Sequence, residues 1–244
     1  MMPRRNIIWC LAVVGALVLV LGALLYRVSL PDAVGELPKS EYPVRGIDIS
    51  AHNGVVDFQA VRASGMEFVL VKATEGNGFK DSRFVDNVRE ARRAGLKVGA
   101  YHFFRFDASG VTQAINFMHS IRGRKLDLPA VVDLEEWTNP SSVPDDTVAA
   151  RLDDMLRHLR CNGYDVLIYT NKDGYERFVK GRFSDYPLWL CSFSRIDESE
   201  DWVLWQYSHR GEVSGVDGHV DMNVFRGDSV AWNEMCLKWL GETQ

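Results

Sequence analysis

Residues 128–136 read LPAVVDLEE. Pro129 restricts the backbone at the entrance, and Ala130, Val131 and Val132 form the short apolar run of a strand buried on both faces. The run ends in Asp133, Leu134, Glu135 and Glu136. Side chains alternate along a strand, so Asp133 and Glu135 share one face while Leu134 turns back into packing. At a rise of about 3.3 Å per residue, their Cβ atoms stand about 6–7 Å apart. Carboxylates this close do not ionise independently, and one raised pKa is what a general acid near neutral pH requires. A solvated acidic turn has the same local sequence, so the rest of the chain has to decide.

On either side the chain repeats one pattern. Strands are expected over 44–50, 68–74, 97–104 and 129–135, then over 166–171, 188–193, 203–208 and 219–225. Helices fall at Asp57–Ser64, Ser82–Ala94 (Ser82 as cap, Gly95 as terminator), Gly110–Ile121, Asp145–Cys161 and Gly174–Val179. Beyond residue 179 the helices give out until a last one over Ser229–Leu240. Eight short strands, the first five alternating with helices, predict a TIM-like β/α barrel with an incomplete helical ring. A doubly wound open sheet is the competitor, and it lacks a glycine-rich first turn.

With 46% hydrophobic and 25% charged residues, the 244-residue chain can build one large core. A net charge of −5 argues against a nucleic-acid partner. Phosphate-loop and dinucleotide fingerprints are missing, as are H-E-x-x-H and C-x-x-C, so no cofactor or metal is expected. Cys161, Cys191 and Cys236 allow at most one bridge, and buried free thiols are the simpler reading. Residues 7–25 run without a charge, about 28 Å as a helix, near the thickness of a bilayer's hydrocarbon core. Arg4 and Arg5 before it place the N-terminus in the cytoplasm and the remainder outside. The expected organisation is therefore a cytoplasmic stub and signal anchor (1–27), a proline-containing linker (28–43) and a catalytic barrel (44–244), held at the membrane by the N-terminal helix.

In β/α barrels the C-terminal strand ends face the active site. Those positions carry Asp48, Tyr101, Phe103, Asp133, Glu135, Tyr169, Trp189, Trp205, Gln206 and Tyr207, and the last strand adds Asp221. Acids ringed by aromatics suit a sugar site, where rings stack on pyranose faces and carboxyls move protons. The plainer readings are barrel packing for the aromatics, a turn cap for Asp48 and an ion pair with Arg226 for Asp221.

GIDIS (46–50), KATEG (72–76), GAYHFF (99–104), VVDLE (131–135), IYTN (168–171), WQY (205–207) and VDMNVF (220–225) resemble, in order, the strand motifs of family 25 glycoside hydrolases, the N-acetylmuramidase lysozymes. The resemblance runs from about residue 45 to 239. It implies hydrolysis of the β-1,4 bond between N-acetylmuramic acid and N-acetylglucosamine in peptidoglycan. Glu135 would be the general acid/base, with Asp133 orienting the substrate's acetamido group or stabilising positive charge at the anomeric carbon, and Asp48 and Asp221 flanking the site. Tyr101, Phe103, Tyr169, Trp189, Trp205 and Gln206 would contact sugars. The sixth motif departs: WLCSF stands where WLA-x-Y is expected, with Cys191 and Phe193. A silent barrel that tethers wall glycan, or the same fold acting on another acetamido polysaccharide such as chitin, are the alternatives.

Overall fold

The computed structural model describes residues 34–239. The expected anchor, 7–25, lies outside them; among the described residues no helix is long and apolar enough to cross a membrane. Strands β1 (Arg45–Ile49), β2 (Phe68–Glu75), β3 (Phe79–Lys80), β4 (Lys97–Phe103), β5 (Ala130–Leu134), β6 (Val166–Asn171), β7 (Leu188–Cys191), β8 (Leu204–Gly211) and β9 (Val220–Phe225) form one sheet. Eight of them close a barrel, in the order β1-β2-β4-β5-β6-β7-β8-β9, with β9 returning to β1. The ninth, β3, is an exposed two-residue hairpin partner of β2. Two residues carry no period, and the sequence gives no sign of it.

The barrel is not all parallel. β1, β2 and β4 to β8 run together, whereas β9 is antiparallel to both β8 and β1. Only residues 212–219 join β8 to β9, fewer than a parallel crossover needs. The reversal brings the start of β9 to the end of the barrel where the other strands finish. Asp221 thereby faces Asp48 directly in the β1/β9 ladder.

Helices α1 (Phe58–Ala63), α2 (Phe84–Arg93), α3 (Gly110–Ile121) and α4 (Asp145–Cys161) lie between the earlier strands, and α5 (Ser229–Trp239) ends the described chain. A short turn, Lys172–Gly174 running into Tyr175–Val179, follows β6, and no helix follows β7 or β8. Asp57 caps α1, its Oδ1 accepting from Gln59 N at 3.0 Å and Ala60 N at 3.1 Å. Ser82 does not cap α2. That helix starts two residues later, and Asp81 Oδ1 accepts from Arg83 N instead. Inside the barrel Val44, Phe68, Leu70, Val131, Leu167, Leu204 and Phe225 form the apolar floor, closed by Trp232 of α5. Its ring lies 5.0 Å from Phe68 and 5.1 Å from Phe225. Cys191 and Cys236 are buried, Cys161 is exposed, and all three are free thiols.

Residues 36–43, linker-like in composition, pack on the barrel. Leu37 is buried, the Arg45 guanidinium donates to its carbonyl, and Tyr42 sits edge-on to Trp205 at 5.8 Å.

Candidate active site

At the mouth formed by the C-terminal ends of β1, β2 and β4 to β8, and by the start of β9, the apolar floor gives way to a cleft of about 820 Å³. Alternation builds it. On β5, Val131 belongs to the floor, Asp133 stands above it and Glu135 lines the mouth just past the strand's end. On β2 a bulge between Lys72 and Thr74 shifts the phase by one residue. Lys72 and Glu75, which a regular strand would send to opposite faces, both reach the cleft and pair at 2.8 Å.

The acids are tied into a hydrogen-bonded frame. Asp48 Oδ2 accepts from Gln206 Nε2 and from Asn223 Nδ2, each at 2.8 Å. The Trp189 indole N–H donates to Asn223 Oδ1 at 2.9 Å. Tyr169 Oη stands 2.8 Å from Gln206 Oε1 and 3.1 Å from Glu135 Oε1. Asp133 Oδ1 is buried without a hydrogen-bond partner among the described residues. An orphaned buried acceptor is costly unless something else occupies it.

Burial dominates the electrostatics. It pushes Asp48 well above the ordinary carboxylate range, and repulsion from Asp221 adds to the rise while Asn223 and Gln206 oppose it. Burial does the same to Asp133, with Glu135 as the next cause and Lys72 opposing. Glu135 and Asp221 are also raised, again chiefly by burial; Asp221 repels Glu135, while the Tyr169 contact and Lys72 favour its anion. Four acids whose environments favour protons, with the half-buried Lys72 beside them, can hold a proton on one carboxyl for delivery while others stay ionised. The Cys191 thiol at the same mouth is pushed up to about 12 by burial and is therefore no nucleophile.

Glu135, Asp133, Asp48, Asp221, Tyr101, Phe103, Tyr169, Trp189 and Gln206 all line this cleft. Trp205 does not. Its neighbour Gln206 faces in, so Trp205 faces out, donating to Ser192 O at 2.7 Å and packing against Tyr42 and Trp202. The plainer readings of two acids also give way. Arg226 binds the carbonyls of Glu198 and Glu200 and lies over the Trp202 ring, leaving Asp221 to the cleft. The turn after β1 is capped by Ser50, leaving Asp48 to Gln206 and Asn223. Residues the sequence reading passed over include Lys72, Glu75, Arg105, Asn171 and the outward-reaching Trp137, 76% exposed. KATEG is charged at a strand end, and that was the available signal for Lys72 and Glu75. Asn223 had none, since its role depends on the reversal of β9.

The family model for glycosyl hydrolases family 25 matches residues 47–216. The autolytic lysozyme of Clostridium acetobutylicum is 34% identical over 75% of this chain, which spans only 56% of that protein's length. Lysozyme M1 of Streptomyces globisporus is 34% identical over 82% of this chain and 73% of its own. Among solved structures, a family 25 glycosyl hydrolase from Bacillus anthracis superposes with a TM-score of 0.74 at 29% identity, covering 84% of this chain and 98% of that one. The bacterial lysozyme from Streptomyces coelicolor gives 0.71 at 31%, covering 82% and 98%. With its barrel, its acid-lined mouth and a family match over most of its length, this chain belongs to glycosyl hydrolases family 25.

Proposed function

We propose that the barrel is a muramidase that cleaves the β-1,4 bond between N-acetylmuramic acid and N-acetylglucosamine in peptidoglycan by substrate-assisted hydrolysis. The observation that carries this reading is the placement of Asp133 on β5 and of Glu135 just past its end, both lining the cleft and both with their pKa raised chiefly by burial. An acetamido N–H on the sugar donates to the Asp133 carboxyl from the cleft. Held there, the acetamido carbonyl oxygen bonds to the anomeric carbon as Glu135 passes its proton to the departing glycosidic oxygen. The Glu135 carboxylate then takes a proton from water as that water bonds to the same carbon and opens the cyclic intermediate. The two displacements return the original anomeric configuration. Phe103, Tyr101 and the exposed Trp137 supply ring surface along the cleft.

Mass spectrometry of fragments released from purified peptidoglycan tests the reading. Wild type yields fragments ending in reducing N-acetylmuramic acid, and Glu135→Gln yields none. Reducing N-acetylglucosamine ends, or glycan binding without release by wild type, would overturn it.

We also propose that residues 7–25 anchor the chain with its N-terminus in the cytoplasm and its barrel outside, where the wall lies. The support is the uncharged nineteen-residue run and the arginines before it. The full-length chain should stay with membranes through a carbonate wash, while a chain beginning at residue 36 should not; retention of both would refute the anchor.

A further inference from the structure

A second cavity, about 360 Å³, opens between the β2–β3 turn and the loop that follows β4. Glu75 and Arg105 line both it and the cleft, so the two spaces adjoin at that edge. The hydrolysis steps leave this annex unused. Its volume is nonetheless within the range of small-ligand sites, about 300–1,000 Å³.

Both walls of the annex are braced from behind by α3. The buried Asn116 side chain donates through Nδ2 to Gly76 O at 2.9 Å and to Phe79 O at 3.2 Å. The buried Gln113 accepts from Arg105 N at 2.7 Å and donates to Arg105 O at 3.0 Å. A Cβ on Gly76, at φ +53°, would stand 3.0 Å from Arg105 Cγ, so the bare turn lets the arginine's stem lie against it. Two buried amides hold these surface loops, as a preorganised binding site requires.

The charges in the annex are unevenly answered. Glu75 Oε2 already accepts from Lys72 Nζ at 2.8 Å, and Asp107 is exposed to water. Arg105 is half-buried and has five N–H donors. Its side chain gives one of them to Thr138 Oγ1 at 3.2 Å. Its acidic neighbours, Glu75 at 3.7 Å and Asp107 at 3.8 Å, stand beyond hydrogen-bond length. The group short of partners is therefore the cation, and the exposed ring of Phe79 lines the same cavity. A carboxylate carried on a short, partly apolar peptide suits both.

We propose that the annex binds the peptide stem of the muramic residue whose bond is cut. Arg105 holds the free α-carboxylate of the stem's second residue, a γ-linked glutamate, and Phe79 packs on the alanine before it. The inference rests on the muramidase reading and assigns a part of the substrate that the reading leaves unplaced. In that reading the acetamido group on C2 meets Asp133, and the lactyl ether that carries the stem is on C3, one ring carbon farther from the bond that breaks. Asp133 pairs with Phe103 of β4, and β4 pairs with β2. The annex lies at the ends of those two strands, whereas Glu135 is held by Tyr169 of β6 on the other flank. A ring spanning from Glu135 to Asp133 thus directs its C3 substituent toward Arg105.

The test compares two synthetic tetrasaccharides of alternating N-acetylglucosamine and N-acetylmuramic acid. Both carry stems of L-alanyl-γ-D-glutamyl-L-lysine with the terminal carboxyl amidated. They differ only at the glutamyl α-position, a carboxylate in one and an amide in the other. Calorimetry measures their binding to full-length Glu135→Gln, in which cleavage is blocked. The carboxylate form should bind on the order of tenfold more tightly, and adding Arg105→Gln should make the two bind alike. Melting of the doubly substituted chain checks that it is folded. Equal affinities in Glu135→Gln, binding of neither, or a preference that survives Arg105→Gln in folded protein would overturn the proposal. Release of reducing N-acetylmuramic acid ends by wild type is scored separately, so selective binding without cleavage would count against the muramidase reading alone.

Discussion

Asp48 shows what a buried acid does for function and against stability. Its folded pKa is raised, chiefly by burial and then by Asp221 opposite it. A carboxyl whose folded value exceeds its unfolded value of about 3.9 stabilises the fold fully below that value. The contribution is lost as pH rises through the folded value, because the native state then has to carry a buried charge. Asp48→Asn keeps an acceptor for Gln206 and Asn223 and never ionises. It should raise the melting temperature at pH 7 by about 2–6 °C, what roughly 1–2 kcal/mol does to a domain of this size, while depressing activity. The gain should shrink as pH falls toward 4. Calorimetry across that range checks it; a variant less stable than wild type at pH 7 would contradict the account. At this scale the sequence was most readable where alternation applied, as for Asp133 and Glu135, and least where it was ignored. Trp205 and Gln206 are adjacent on one strand and cannot both face the cleft; the frame selects Gln206. Lys72 and Glu75 needed a bulge, which leaves no mark in a single sequence.

Among elements, the strand positions were legible because each is a short apolar run closed by turn residues, and Gly95 ends its helix with positive φ as expected, as Gly65 and Gly163 do theirs. Strand direction was not legible from the same runs, since an apolar pattern is the same read either way. Only the length of the β8–β9 connection carried that information, and Asp221 reaches the cleft because of it. The seam between α3 and α4 is governed by one small residue. A Cβ on Gly110 would come within 1.8 Å of Arg151 O and 2.9 Å of Met155 N, both backbone atoms of α4 that cannot swing away. Gly110→Ala should cost about 1–3 kcal/mol by forcing the helices apart, despite the better helix propensity of alanine. Urea unfolding would show it as a lower midpoint with an unchanged slope; a midpoint at or above wild type would mean that the seam yields freely.

For the molecule as a whole, the side of the barrel without helices is covered by other means. Tyr42 reaches Trp202 at 6.3 Å and Trp205 at 5.8 Å, and the Arg226 guanidinium lies 5.2 Å over the Trp202 ring. The segment before β1 is thus part of the fold, although its prolines and mixed charges read as a tether. Composition reports how a segment can behave when free, and it is silent on what a neighbouring aromatic surface offers it. Removing the segment uncovers Trp205 and the buried Leu37 contact, worth about 1.5–3 kcal/mol for the side chain alone, with about 0.5–1.5 kcal/mol for each aromatic pair. It also strips the buried Arg45 guanidinium of its acceptors at Leu37 and Tyr42. Two shortened chains separate a docked segment from a free one. The chain beginning at residue 36 should melt with the full-length protein's barrel, whereas the chain beginning at 44 should melt several degrees lower and bind a dye for exposed apolar surface. Equal melting of the two would mean that 36–43 contributes nothing and that the barrel closes its bare side unaided.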